Sequence, residues 1–166
     1  MYVIATLEMD RQKASTGEGG APMLEMTRVI RASRDRVFEA WTRPEVLKEW
    51  FGPGAMVVTK ATLDVREGGE YVIECVGEAP GEEGRIKTST VRGQYRRVVP
   101  NELLQFTWCG NWDPSEVSLV TISLRDVEGG TEMKLKHEQF ATEFSRDGHL
   151  KGWGSSLPKL VKLVEG

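Results

Sequence analysis

The side chains in this sequence best able to do chemistry are two histidines, two cysteines and a large aromatic set. His137 shares strand parity with Met133 and Leu135, so alternation turns its imidazole to the same side as those apolar groups. His149 stands one turn before Trp153, at the predicted opening of a long helix. Two imidazoles at opposite ends of a pocket can hold the polar head of a ligand or titrate near neutrality. The competing reading is a hydrogen-bonded core histidine and a helix-start histidine near the surface. Five tryptophans occur, Trp41, Trp50, Trp108, Trp112 and Trp153, and Tyr71, Tyr95 and Phe106 add to them. Core packing accounts for most rings of this kind. Here they are spread over two short helices, several strands and the last helix, elements that would surround one interior, as small-molecule pockets usually require. Tyr71 shares parity with Ile73 and Cys75 and points inward. In the strand 103–109 the inward face stays open, because Leu104, Phe106 and Trp108 have one parity and Leu103, Thr107 and Cys109 the other.

Other chemistries lack their residues. There is no H-E-x-x-H, no paired C-x-x-C and no acidic triplet of the EF-hand form, so no metal or other cofactor is expected. No serine sits in G-x-S-x-G, and Gly68-Gly69 lacks the helix and lysine of a phosphate loop. The net charge of −3 argues against a nucleic-acid partner. No apolar run approaches the roughly 18 residues of a membrane span, and the N-terminus has no secretory pattern. Cys75 and Cys109, far apart, fit two free thiols in a reducing cytoplasm.

The elements that must position these groups follow from periodicity. Residues 1–22 are expected to be a flexible extension: 1–7 can make a short strand, but 11–22 (R-Q-K-A-S-T-G-E-G-G-A-P) has almost nothing to bury. One domain then covers 23–166. Its first strand is 23–32. Ser33 is a candidate N-cap for a helix 34–42 that carries Val37, Phe38 and Trp41. Pro44 opens a second short helix with Val46, Leu47, Trp50 and Phe51 as its buried side. Strands are predicted at 56–65, 70–76, 88–99, 103–109, 117–127 and 131–139, joined by short turns that imply an antiparallel meander. The last helix, 147–164, places Leu150, Trp153, Leu157, Leu160, Val161 and Val164 on one face. Gly152, Gly154 and Pro158 are poor residues for its interior; the glycines can allow close approach to the sheet, and the proline can kink the helix near 154–155. The fold class is α+β, a curved antiparallel sheet of six to seven strands wrapped around the long C-terminal helix, with two short helices after the first strand.

Four stretches carry a resemblance. R-V-I-R-A-S-R-D-R-V-F-E-A-W-T-R-P-E-V-L-K-E-W-F-G-P (28–53), D-V-R-E-G-G-E-Y (64–71), N-E-L-L-Q-F-T-W (101–108) and G-H-L-K-G-W-G-S-S-L-P-K-L (148–160) occur in order. Together they resemble the activator of heat-shock protein 90 ATPase homologue-like family of the START/SRPBCC superfamily, over residues 24–164. The resemblance implies the helix-grip fold and a deep cavity between the curved sheet and the last helix. The candidate ligand-binding residues are Trp41, Trp50, Phe51, Tyr71, Trp108, His137, His149 and Trp153. Pro158 and the N-terminal extension depart from the family pattern.

The function expected is binding of a small hydrophobic or amphipathic molecule in that cavity, with no catalytic residue assigned. The alternatives are cyclase, hydrolase or isomerase chemistry with His137 or His149 as general base or acid, and a co-chaperone-like interaction domain. Superfamily members that activate chaperones usually carry another domain beside this one, and fold alone does not choose between these roles. A homodimer is compatible with the sequence, which does not set the oligomeric state.

Overall fold

Alternation along each strand settles which side of the sheet is the inside. In the strand Leu103–Gly110, Leu104, Phe106 and Trp108 are buried while Leu103, Gln105, Thr107 and Cys109 are half-buried, which resolves the open face. The next two strands repeat the pattern, burying Ser118, Val120, Ile122 and Leu124, then Thr131, Met133, Leu135 and His137. The computed structural model describes residues 10–79 and 81–166, without the side chain of Glu18. The strand considered for 1–7 lies outside the described residues.

The elements are β1 (Arg11–Thr16), β2 (Pro22–Ile30), α1 (Arg34–Thr42), α2 (Pro44–Leu47), β3 (Val57–Leu63), β4 (Glu70–Glu78), β5 (Ile86–Val99), β6 (Leu103–Gly110), β7 (Ser118–Val127), β8 (Gly130–Glu138) and α3 (Glu143–Glu165). A single 3-10 turn, Glu18–Gly20, joins β1 to β2. The strands form one curved antiparallel sheet in the order β1-β2-β8-β7-β6-β5-β4-β3. Its inner face packs on the three helices around a continuous core, in which each fully buried Leu, Ile or Met stabilises the fold by about 1.5–3 kcal/mol.

The sheet has eight strands where six to seven were expected, and the added one falls in the stretch read as a flexible extension. β1 pairs with β2 from Arg11↔Thr27 to Thr16↔Pro22. The Arg28 guanidinium donates to Arg11 O and Gln12 Oε1, and Arg146 Nη1 donates to Ser15 O at 3.1 Å. A strand held by its backbone ladder and by arginines, rather than by apolar burial, carries no alternating signal.

Ser33 occupies the N-cap position of α1, but its hydroxyl pairs with the Asp35 carboxylate rather than with a backbone N–H. Pro44 opens α2 as expected. α3 begins at Glu143, four residues before the predicted start, because Thr142 caps it: the Thr142 hydroxyl accepts from Ser145 N at 3.1 Å. The helix runs through Pro158, whose ring faces solvent, so water can serve the carbonyl that the missing N–H leaves free. The glycines of α3 do not approach the sheet. A Cβ on Gly154 would meet nothing within 4 Å, and one on Gly152 would meet only Pro53 Cβ at 3.9 Å. What holds this part of α3 is a clasp: Lys159 Nζ donates to Gly52 O (2.5 Å) and Gly54 O (2.9 Å), and Ser155 Oγ accepts from Gly54 N (3.0 Å).

Candidate functional site

Aromatic side chains from α1, the turn after α2, and β4–β6 converge under the two short helices. They leave a cavity of about 10 Å³, walled by Trp41, Phe51, Tyr71, Tyr95, Phe106 and Trp108 together with aliphatic groups such as Leu63 and Ile73. A space of that size admits one water-sized group at most, and an apolar one stays dry. The Tyr71 hydroxyl is already committed, donating to Thr107 O at 2.6 Å. That contact depends on Gly93, which stands opposite Tyr71 on β5: a Cβ there would lie 1.9 Å from Thr107 O and 2.8 Å from the Tyr71 ring. Burial pushes the Tyr71 phenol well above its usual range, helped by Tyr95. It also pushes the nearby Cys75 thiol up to about 11.

This void is not where sequence reasoning put the space. The interval between Trp153 and the sheet is filled: the Trp153 ring lies 5.1 Å from Trp108, 5.8 Å from Trp41 and 6.2 Å from Phe51 between centroids. Of the eight candidate residues, Trp41, Phe51, Tyr71 and Trp108 line the void. Trp50 stands behind them, 4.8 Å from Trp41, with its indole N–H donated to Ala40 O. His137, His149 and Trp153 form a second, polar cluster that meets the first at Trp108.

In that cluster the tautomers follow from the partners. Trp153 Nε1–H donates to His137 Nδ1 at 3.1 Å, and an indole can only donate, so Nδ1 carries the lone pair. His137 Nε2 therefore holds the proton and donates to Ser118 Oγ at 2.7 Å; Ser118 Oγ in turn donates to Trp108 O at 3.4 Å. At His149 the order is reversed. Nδ1 lies 2.8 Å from Ser145 O, a carbonyl that can only accept, so Nδ1 holds the proton. Nε2 accepts from Trp108 Nε1–H at 3.1 Å. The two imidazoles are 5.0 Å apart, and Phe140 packs on both, at 4.2 and 5.0 Å. Burial, with His149 close by, holds His137 well below the usual imidazole range. Burial lowers His149 too, opposed by its Ser145 bond and by the Glu116 carboxylate.

Ser118 and His137 have the separation of a nucleophile and its base, but not the proton order. The indole of Trp153 fills the nitrogen that would have to carry a proton, so the other nitrogen cannot take one from the serine. The lone pair of His149 is likewise occupied. Among the described residues no buried side-chain nitrogen or oxygen lacks a hydrogen-bond partner, and no group of three or more His, Cys, Asp or Glu could hold a metal ion.

Ser118, Glu116, Phe140 and Ser145 complete the site and were not singled out from the sequence. Ser118 was visible in part, since it shares parity with Val120 and Ile122 at the start of β7 and pairs with Trp108. Glu116 had no local signal. Its carboxylate ties the β6–β7 loop to the start of α3, accepting from Ala141 N at 2.7 Å and from Ser145 Oγ at 2.6 Å. Beyond it lies Trp112, half exposed, 5.6 Å from the His149 ring and lying over Gly110, where any Cβ would collide with the indole.

Comparison with known proteins agrees with this architecture. A protein from Chromobacterium violaceum is 26% identical with a TM-score of 0.76, over 87% of this chain and 98% of its own. An AHSA1 protein from Silicibacter pomeroyi is 24% identical (TM-score 0.73, 84% and 95% covered), and a Rhodobacter sphaeroides protein is 24% identical (0.71, 93% and 97%). These last two speak for the fold alone. No curated protein matches the sequence significantly. The sequence profile described as "Activator of Hsp90 ATPase homolog 1-like protein" matches residues 31–165, so α1 to α3 carry the likeness and β1 and β2 precede it. The chain belongs to this AHSA1 family.

Proposed function

We propose that this protein binds a small hydrophobic or amphipathic molecule in the interior between the sheet and its helices. The fold and family support a ligand-binding or co-chaperone-like domain. The observation that favours the former is the aromatic void and its continuity, through Trp108, with the half-buried rim at His149 and Trp112. Ligand sites commonly measure a few hundred Å³, so the void of about 10 Å³ is a closed state and binding requires the rings to move. No free base faces this interior, which favours binding over catalysis. The two free thiols suit a reducing compartment such as the cytoplasm. Among the described residues, no helix is long and apolar enough to cross a membrane.

The test is native mass spectrometry of protein purified without detergent, run beside Leu63→Trp, which fills the void. A molecule retained by the wild type and lost from Leu63→Trp supports the reading. Repeated absence of any bound molecule, with no response of the tryptophan fluorescence to apolar probes, defeats it.

A second reading, a protein-interaction domain, is favoured by one observation. The large apolar side chains exposed among the described residues, Val57, Ile86, Trp112, Val117 and Phe144, all belong to the end of the sheet where β4 turns into β5 and α3 begins. A partner that survives Leu63→Trp and is lost on Trp112→Ser with Phe144→Ser would move the weight to this surface.

A further inference from the structure

The Trp108–His149 contact has a chemical polarity that a guest must match. Ser145 O fixes the His149 proton on Nδ1, so Nε2 offers a lone pair, and the indole of Trp108 offers only an N–H. Trp108 also walls the void, so enlarging the void by displacing the Trp108 ring breaks this hydrogen bond and leaves one donor and one acceptor facing the newcomer. The inner histidine presents no such opening. Its two nitrogens sit in a chain that closes on the Trp108 carbonyl, and it has no exposed surface. The outer contact stands instead at the half-buried rim, 5.6 Å from Trp112.

A group placed between Trp108 Nε1–H and His149 Nε2 must accept from the first and donate to the second. A hydroxyl does both. An ether or ketone leaves the imidazole unpaired, a carboxylate sets a second lone pair against it, and an ammonium leaves the indole N–H without an acceptor. Resting on the cavity reading above, we propose that the ligand is an apolar, ring-sized molecule carrying a neutral hydroxyl. Its body displaces Trp108 into a widened void, and its O–H bridges Trp108 and His149.

Three probes of one shape test this: 2-naphthol, naphthalene and 2-naphthoate, titrated at pH 7.5 and followed by the indole N–H resonance of Trp108. The expected result is that 2-naphthol binds about ten-fold tighter than either of the others and shifts that resonance. In His149→Phe the preference of 2-naphthol over naphthalene should fall to parity. His149→Gln, which keeps an acceptor and guards against misfolding of the first variant, should retain part of the preference. Equal binding of naphthalene and 2-naphthol, or a preference that survives His149→Phe, overturns the hydroxyl assignment and leaves cavity binding standing. Binding of none of the three overturns both.

Discussion

The interior has two halves that meet at Trp108, and they are held in opposite ways. Under α1 and α2 the rings of Trp41, Phe51, Tyr71, Tyr95 and Phe106 leave a void, and few of their contacts are directional. Under α3, Trp153, His137 and His149 give each nitrogen one assigned partner. Apolar side chains exchange neighbours at small cost when total volume is kept, whereas a buried polar group left unpaired costs about 1–3 kcal/mol. The first half can therefore deform at smaller cost than the second. On the binding proposed above, a guest would gain room from one and orientation from the other.

The comparison breaks most sharply at Gly93, on the deformable side. Gly93→Val drives a side chain into Thr107 O and the Tyr71 ring, and should cost more than about 4 kcal/mol in urea denaturation. A loss below 1 kcal/mol would mean that even the backbone of that half gives way. On the rigid side, His137→Leu strands the Trp153 N–H and removes the donor to Ser118 Oγ, and should cost about 3 kcal/mol. Pairing it with Trp153→Phe should recover part of that loss, and no recovery would show that packing rather than hydrogen bonding sets the cost.

Acid should probe the rigid half alone. Both imidazoles are kept neutral below their ordinary value in the folded chain, while the unfolded chain takes up protons near pH 6.5. As pH falls through 6.5 the unfolded state binds more protons, so stability declines from that point downward and these two groups contribute no slope well above it. Between pH 6.5 and 5.5 the loss should reach up to about 2 kcal/mol, and His137→Leu should roughly halve it. An unchanged midpoint across that interval would contradict the neutral tautomers. The smallest effect sharpens the contrast: Ile73→Val adds space to the void for about 1 kcal/mol and should tighten binding of apolar probes. Weaker binding would place the guest elsewhere.

The strands β2, β4, β6, β7 and β8 and the helix α1 were legible because each buries alternate or helically spaced apolar groups, and β3 and β5 because β-forming runs stand between clear turns. β1 was not, since R-Q-K-A-S-T lies exposed at a sheet edge and its stability comes from backbone pairing with β2. The start of α3 was obscured by Phe144, which is 90% exposed and does not continue the apolar stripe. At the site, parity sufficed to turn His137 and Tyr71 inward. It could not show that indole N–H groups occupy both imidazoles, because Trp108 and His149 lie 41 residues apart and meet only through the register of β6 and the position of α3. Nor could it place the void, which depends on how the rings of α1 and α2 fill the grip rather than on which residues face it.

The clasp of Lys159 and Ser155 on Gly52 and Gly54 makes α3 a lever. Its fulcrum lies in the second half of the helix. The other arm reaches back about 15 Å from Lys159 to His149 at 1.5 Å per residue, through Gly152, and is tied at its far end by the Glu116–Ser145 and Trp108–His149 hydrogen bonds, so once those open a slight tilt at the clasp becomes a larger excursion of His149 past Trp112. Amide hydrogen exchange should then run unevenly along one continuous helix, faster from 145 to 152 than from 155 to 164, and the door to the interior would be the helix's own first turns.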